Sequence, residues 1–316
     1  MKKAFEKLNL RDYGVLLGFL ALCIAISIAT PSFLGKQNIL NLLRQSSIIG
    51  IISAGMTFVI ISGNFDISVG AVSALAGAIT MKFATGGTNL FASMLLGIAI
   101  CAVIGLINGI VVAKINVPSL IATMAMVTIV RGLLLMLTGG YPITENIPIL
   151  DYIGNGYLFN IPIPVVIFFI VVLASFIVLN KTKFGRYVCS VGGNQEASKL
   201  NGINVDSHKV KVFIINAVLA GIAGIVLTGR LGTATAIAGE GYDMDAIASV
   251  VIGGTSVAGG SGSVLKTVIG VLLMSVINNS FNLLGIDVYF QYIFKGLIIL
   301  AAVGFDSYSK KKLASR

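Results

Sequence analysis

The chain has 316 residues, 56% hydrophobic and only 11% charged, with no tryptophan and a formal net charge of +10. A soluble globular chain carries about 25% charged residues, so this composition excludes an ordinary soluble domain and describes a polytopic membrane protein. The Lys and Arg residues cluster beside apolar runs, as the positive-inside rule requires, and this arrangement argues against a nucleic-acid partner.

Lys2, Lys3, Lys7 and Arg11 lead into an apolar run from Tyr13 to Thr30. That run is too long for the core of a cleavable signal and reads as a first span entered from the cytoplasm. With roughly 20 apolar residues needed per crossing, spans are predicted near 13–31, 46–62, 67–83, 90–113, 118–138, 162–180, 211–230, 244–260, 263–282 and 286–305. The expected fold is therefore all-α, with about ten transmembrane helices over 13–308, a cytoplasmic segment 1–12 and a basic tail 309–316. Alternation places Lys114, the cluster from Lys181 to Lys211, Lys266, Lys310, Lys311, Lys312 and Arg316 on the cytoplasmic side, with both termini. Only Lys36, Arg44, Lys82 and Arg230 fall opposite. Segment 139–161 then faces outward with Glu145 and Asp151 and no Lys or Arg, suiting either an external partner or a passive connection.

Within the spans, Ser62-Gly63-Asn64-Phe65-Asp66-Ile67-Ser68-Val69-Gly70 interrupts the hydrophobic sequence with a carboxylate, an amide and hydroxyls. Backbone freed from helix at membrane depth must line a cavity or be buried in protein. Asp66 accordingly has two readings, a contact for a polar solute or a cap on the helix that follows. Arg131 sits inside a span from which it can snorkel, while Lys295, nearer mid-span, faces a partner or cavity. Asn278, Asn279 and Asn282 interrupt another span, either as interhelical hydrogen bonds or as the lining of a route for a hydroxylated solute. Gly105 and Gly109, like Gly14 and Gly18, have the spacing of close helix approach.

The stretch from Lys181 to Lys211 is polar and basic. Inside it, Gly192 to Gly202 spells out a short helix, with Asn194 as N-cap, Glu196 in the first turn, Lys199 near the end and Gly202 as the stop. A helix of two turns is unstable alone, and its narrow apolar edge of Ala197, Leu200 and Ile203 predicts docking to another protein. The break from Gly253 to Gly262 carries no charge. A phosphate-loop motif is incomplete, since Leu265 stands where glycine is needed before Lys266-Thr267; ATP is not expected to bind this chain. Cys23, Cys101 and Cys189 are too widely spaced for a metal site, His208 reads as a surface residue, and no catalytic constellation identifies an enzyme.

Three landmarks recur in order: Val59 to Gly63 with Val251 to Thr255, Ile107-Asn108-Gly109 with Ile277-Asn278-Asn279, and Arg131 to Leu134 with Lys295 to Ile298. The offset of five spans would relate spans 2–5 and 7–10 as an inverted repeat, a transporter signature.

The chain resembles the permease subunits of bacterial ABC importers for monosaccharides, with ribose importers the nearest members. The likeness rests on Asn41 to Ser47, Ala54-Gly55-Met56-Thr57, Asp66 to Gly70, Gly185-Arg186-Tyr187, Gly192 to Ala197, Gly202 to Val205, Gly241-Tyr242 with Asp245 to Ala248, Gly253 to Ser256, and Asn278-Asn279 with Asn282 to Gly285. It implies a homodimeric pore in the inner membrane, ATPase subunits beneath it that use the ATP, and a soluble sugar-binding protein outside. It also makes 181–210 a coupling loop in which Glu196, Ala197, Leu200 and Gly202 meet the ATPase. Asn64, Asp66, Ser68, Asn278, Asn279 and Asn282 are the pathway candidates. Asn64 departs from the glycine common in the family, and cargo choice stays open among ribose, xylose, galactose, autoinducer-2 and branched-chain amino acids. An ion-coupled secondary transporter is the rival reading, with Asp66 as its one strong intramembrane acid.

Overall fold

Apolar runs punctuated by glycine, proline and capping polar residues become helices of unequal length. In the computed structural model, which describes residues 10–314, α1 (Leu10–Ala29) is followed by a 3-10 turn at Pro31–Leu34, α2 (Lys36–Ile61), α3 (Val69–Thr85), α4 (Leu90–Ala113) and α5 (Ser119–Thr138). A connection containing β1 (Ile143–Thr144), α6 (Pro148–Asn155), β2 (Tyr157–Leu158) and β3 (Ile161–Pro162) leads to α7 (Ile163–Lys181). Then come α8 (Lys183–Gly193), α9 (Gln195–Leu200), α10 (Val205–Leu231), β4 (Thr233–Ala234), α11 (Tyr242–Ile252), α12 (Val264–Leu283) and α13 (Val288–Ala314). Local chemistry fixes many ends: Asn89 Oδ1 accepts from Phe91 N at 2.9 Å to start α4, and Gly139 and Gly232, each at φ 65°, terminate α5 and α10.

The protein is a predominantly helical, multi-pass membrane protein, but ten full crossings are not seen among the described residues. Six helices, α2, α4, α5, α7, α10 and α12, are long and apolar enough to cross a bilayer, and shorter apolar stretches occupy α1, α3 and α13. The predicted span 244–260 is corrected to the 11-residue α11 and a loop. Hydropathy alone runs through this region, yet Gly254, Gly259 and Gly260 adopt positive φ and end the helix. Residues 1–9, with Lys2, Lys3 and Lys7, lie outside the described residues, and the expected tail at 309–316 is continuous with α13 through Ala314.

Between helices in lipid, close approach replaces the hydrophobic effect as the main source of contact energy. The central helix α10 packs on α2, α3, α4 and α6. A Cβ at Gly105 would lie 2.6 Å from Phe213 O and one at Gly109 2.7 Å from Val210 Cα, so the paired glycines of α4 admit the α10 backbone, as their spacing predicts. Gly18, by contrast, faces nothing within 4 Å in this chain.

The 139–161 connection is a docked cover rather than a free loop. Its α6 buries Leu150 and brings Gly154 against the backbone of Gly229 and Arg230, Arg44 Nη2 donates to Asn155 O at 3.0 Å, and β1 pairs antiparallel with β4. Beyond β4 the chain turns inward. Gly232 shares a cavity with Met81, whereas Gly239 packs on Gly70. Eleven helical residues separate Gly70 from Met81, so segment 232–241 descends along α3 by roughly 16 Å before α11 begins.

Candidate functional site

The polar stretch between α7 and α10 folds into two helices. Thr182 caps α8 by accepting from Gly185 N at 3.2 Å, and Val188 and Val191 are buried on its inner side. Helix α9 forms where its caps predict: Asn194 Oδ1 accepts from Ala197 N at 2.9 Å, and Gly202 takes φ 76° after its end. The two helices are pinned together by the hydroxyls of Ser190 and Ser198, 2.9 Å apart, and Lys209 Nζ donates to Gln195 Oε1 at 2.9 Å. Glu196, Ala197 and Gly202 are exposed, and Leu200 is 89% exposed. On α8, burial pushes the Cys189 thiol up. His208 is not a free surface residue: it stacks on Phe184 at 5.7 Å and meets the Tyr187 ring edge-on at 5.2 Å.

The end of α8 reaches the membrane domain through backbone alone. A Cβ on Gly192 would stand 1.7 Å from Ile61 O and 2.7 Å from Gly260 N, and Gly260 N itself donates to Ile61 O at 2.8 Å. Gly259 in turn lies against Gly63. The two breaks at 62–66 and 253–262 thus join at a single three-way junction under α8, on the same face of the molecule as α9.

From that junction residues 63–68 climb back between helices. Ser68 N and its hydroxyl both donate to Asp66 Oδ1, the former at 2.9 Å, while Asn216 Nδ2 donates to Asp66 Oδ2 at 2.9 Å. Asn108 Nδ2 completes the group by donating to Ser68 Oγ at 3.1 Å. All four residues are buried. A second polar node occurs at α11, where Asp245 receives Lys295 Nζ at 3.0 Å and Asn278 Nδ2 at 3.3 Å. Each node therefore sets a carboxylate beside an inward-turned segment against an asparagine from a long helix, Asn216 of α10 for Asp66 and Asn278 of α12 for Asp245. Arg131 Nη1 serves the descending segment, donating to Ala236 O and, at 3.2 Å, to Ala238 O.

A glycine-hinged membrane domain with inward-turned segments and a protruding capped helix narrows the comparison to transport permeases. A family model described as branched-chain amino acid transport system / permease component matches residues 38–303. The chain belongs to this family. It is similar to the ribose import permease protein of Haemophilus influenzae, 43% identical over 303 residues that cover 93% of this chain and 94% of that one. The ribose import permease protein of Bacillus subtilis is 42% identical, over 94% of this chain and 93% of its own. The L-arabinose transport system permease protein of Escherichia coli is 35% identical, over 95% and 92% respectively. No solved structure matches the chain.

For a member of this permease family, the six pathway candidates are distributed unevenly. Asn64, Asp66, Ser68 and Asn278 are buried in the two polar nodes or beside them, with Asn64 Nδ2 donating to Ser62 O at 3.1 Å. Asn279 Nδ2 donates to Asn38 Oδ1 at 2.8 Å and so ties α12 to α2, and Asn282, exposed, accepts from Gln291. The partners Asn108 and Asn216 were not singled out as site residues. Both amides are polar residues within spans, but the bond of Asn108 to the Ser68 hydroxyl, 40 residues away, and that of Asn216 to the Asp66 carboxylate, 150 residues away, have no local signal.

Proposed function

We propose that this chain is the membrane-spanning permease subunit of an ATP-driven monosaccharide importer of the bacterial inner membrane, with ribose as its cargo. The carrying observation is the match, at 39–43% identity over nearly the whole chain, to ribose import permeases of several bacteria. In this reading two copies form the pore, both termini are cytoplasmic, an ATPase subunit docks on α9 through Glu196, Ala197, Leu200 and the turn at Gly202, and a soluble sugar-binding protein delivers the solute from the other side. The chain itself holds no cofactor; ATP belongs to the partner.

The mechanism follows from the junction under α8. Closure of the ATPases moves α9 and α8 as a pinned pair, and Gly192 transmits the displacement to Ile61 and Gly260 together. Both re-entrant segments then shift in concert, α3 and α11 with them, in the manner of an inverted repeat rocking about its midplane. Asp66, Ser68, Asn64 and Asn278 act here as the hydrogen-bonded supports of the gate, and Asn279 and Asn282 lie toward the opposite mouth of the pathway.

Co-reconstitution with the ATPase and the sugar-binding protein in liposomes tests this reading. Ribose delivered by the binding protein should accelerate ATP hydrolysis and accumulate inside. Uptake that survives ATP depletion and collapses with an ion gradient would replace it by secondary transport, and accumulation of xylose or arabinose in preference to ribose would change the cargo.

A further inference from the structure

A cleft of about 710 Å3 opens between the start of α3, α5, the descending segment 232–241, the start of α11 and Tyr292 of α13. Its lining mixes apolar wall with a small set of charges and dipoles: Arg131 and Thr128 from α5, Glu240, Asp243 and Met244 at the turn into α11, and Tyr292 from α13. Arg131 lies 12 residues into α5 from Ser119, so these groups stand roughly 18 Å above the face that carries α8, near mid-membrane.

The charges here are treated differently from those of the neighbouring node. Lys295 and Asp245 neutralise each other in a closed pair. Among the described residues no ion pair joins Arg131 to Glu240 or Asp243; the guanidinium is spent on the carbonyls of Ala236 and Ala238, holding the segment that presents the two carboxylates. Ionised groups that face lipid are disfavoured, whereas those that face a water-filled cavity mark a solute route. The cleft also has the composition of a small-molecule site, mostly apolar with a few convergent polar groups. One cation against two carboxylates repels anions, while carboxylate oxygens accept from vicinal hydroxyls and an exposed tyrosine offers its ring to the apolar face of a sugar.

We propose that this cleft is the solute-contacting part of the translocation pathway, in which Glu240 and Asp243 accept hydrogen bonds from a neutral polyhydroxylated solute and Arg131 is the positioning residue that fixes them. This rests on the importer reading, and two separate measurements distinguish a failure of one from a failure of the other. First, in a background with Cys23, Cys101 and Cys189 changed to serine, Met244→Cys and, as a control on α5 outside the cleft, Ile129→Cys are exposed to a water-soluble methanethiosulfonate in the assembled complex. Met244→Cys should react at least tenfold faster; equal, slow labelling at both positions would mean that the cleft is filled by lipid and would overturn the proposal whatever the cargo. Second, Glu240→Gln and Asp243→Asn should each lower ribose accumulated per ATP hydrolysed about tenfold relative to the unaltered complex. Wild-type transport in both variants would overturn the assignment of these carboxylates. An unaltered complex that moves no sugar, yet labels at Met244→Cys, would instead remove the cargo and leave the cleft.

Discussion

Asp66 is enclosed by donors from this chain alone, two from Ser68 and one from Asn216. Replacement by asparagine keeps the shape but turns an NH2 toward the donating Nδ2 of Asn216, and an unsatisfied buried polar group costs about 1–3 kcal/mol. Asp66→Asn should therefore lower the thermal unfolding midpoint of the purified permease while ATP-dependent uptake persists. Loss of uptake without loss of stability would return Asp66 to the role of an ion or solute ligand. At this scale a local turn was legible but the cap reading does not hold: Ser68 is the N-cap of α3 without a side-chain cap bond, and Asp66 accepts from Ser68 itself. The bond to Asn216 was not legible, since only the packing of α2 and α10 brings it within reach. The Arg131 side chain shows the same limit: a charge within a span is visible in sequence, but the carbonyls that receive it belong to a segment whose descent no periodicity records.

Among the elements, α9 was readable end to end because capping is chemistry between neighbours in sequence. Its exposed edge gives a direct expectation: Glu196→Lys and Leu200→Asp should each abolish copurification of the ATPase subunit, with the permease still extracted and folded. Retention of the ATPase by both variants would move the docking site elsewhere. Helix α8 escaped notice, since its buried residues Val188 and Val191 are sparse among basic and glycine residues and it is held by α7 and α2 rather than by its own propensity. Helix α11 was overextended for the opposite reason: the segment after it stays free of charge, but its glycines, Gly254, Gly259 and Gly260 at positive φ among them, do not sustain a helix. The junction connecting these elements is testable at Gly192. Its Cβ would collide with backbone, which has no rotamer to yield, so Gly192→Ala should destabilise the fold by about 1–3 kcal/mol. The same variant should reduce sugar moved per ATP, measured in liposomes, more than ATPase binding measured by copurification.

Taken whole, the molecule is held by a few buried polar nodes within a matrix of closely packed helices. The Asp245–Lys295 pair joins α11 to α13 at 3.0 Å with side chains 5% and 20% exposed. Removing one partner of such a pair leaves a buried charge and costs about 3–5 kcal/mol. Lys295→Met alone should thus lower the unfolding midpoint sharply, and addition of Asp245→Asn should restore most of it; a double variant no more stable than the single would show that the pair is not the source of the loss. Of the landmarks that suggested two related halves, Asn108 falls in the first node and Asn278 and Lys295 in the second, while Arg131 lies outside both, on the carbonyls of Ala236 and Ala238. Sequence could therefore place the chemistry in order along the chain, while depth in the membrane came only from the inward turns.

The brevity of α11 has a consequence for how the chain is made. Eleven residues span about 16 Å, half the hydrocarbon thickness, and they include Asp243 and Asp245. Such a segment cannot partition into lipid as it emerges from the ribosome. Asp245 meets its counter-charge only when α13, which follows α12 in the chain, brings in Lys295, so settling α11 in the membrane depends on a helix made after it.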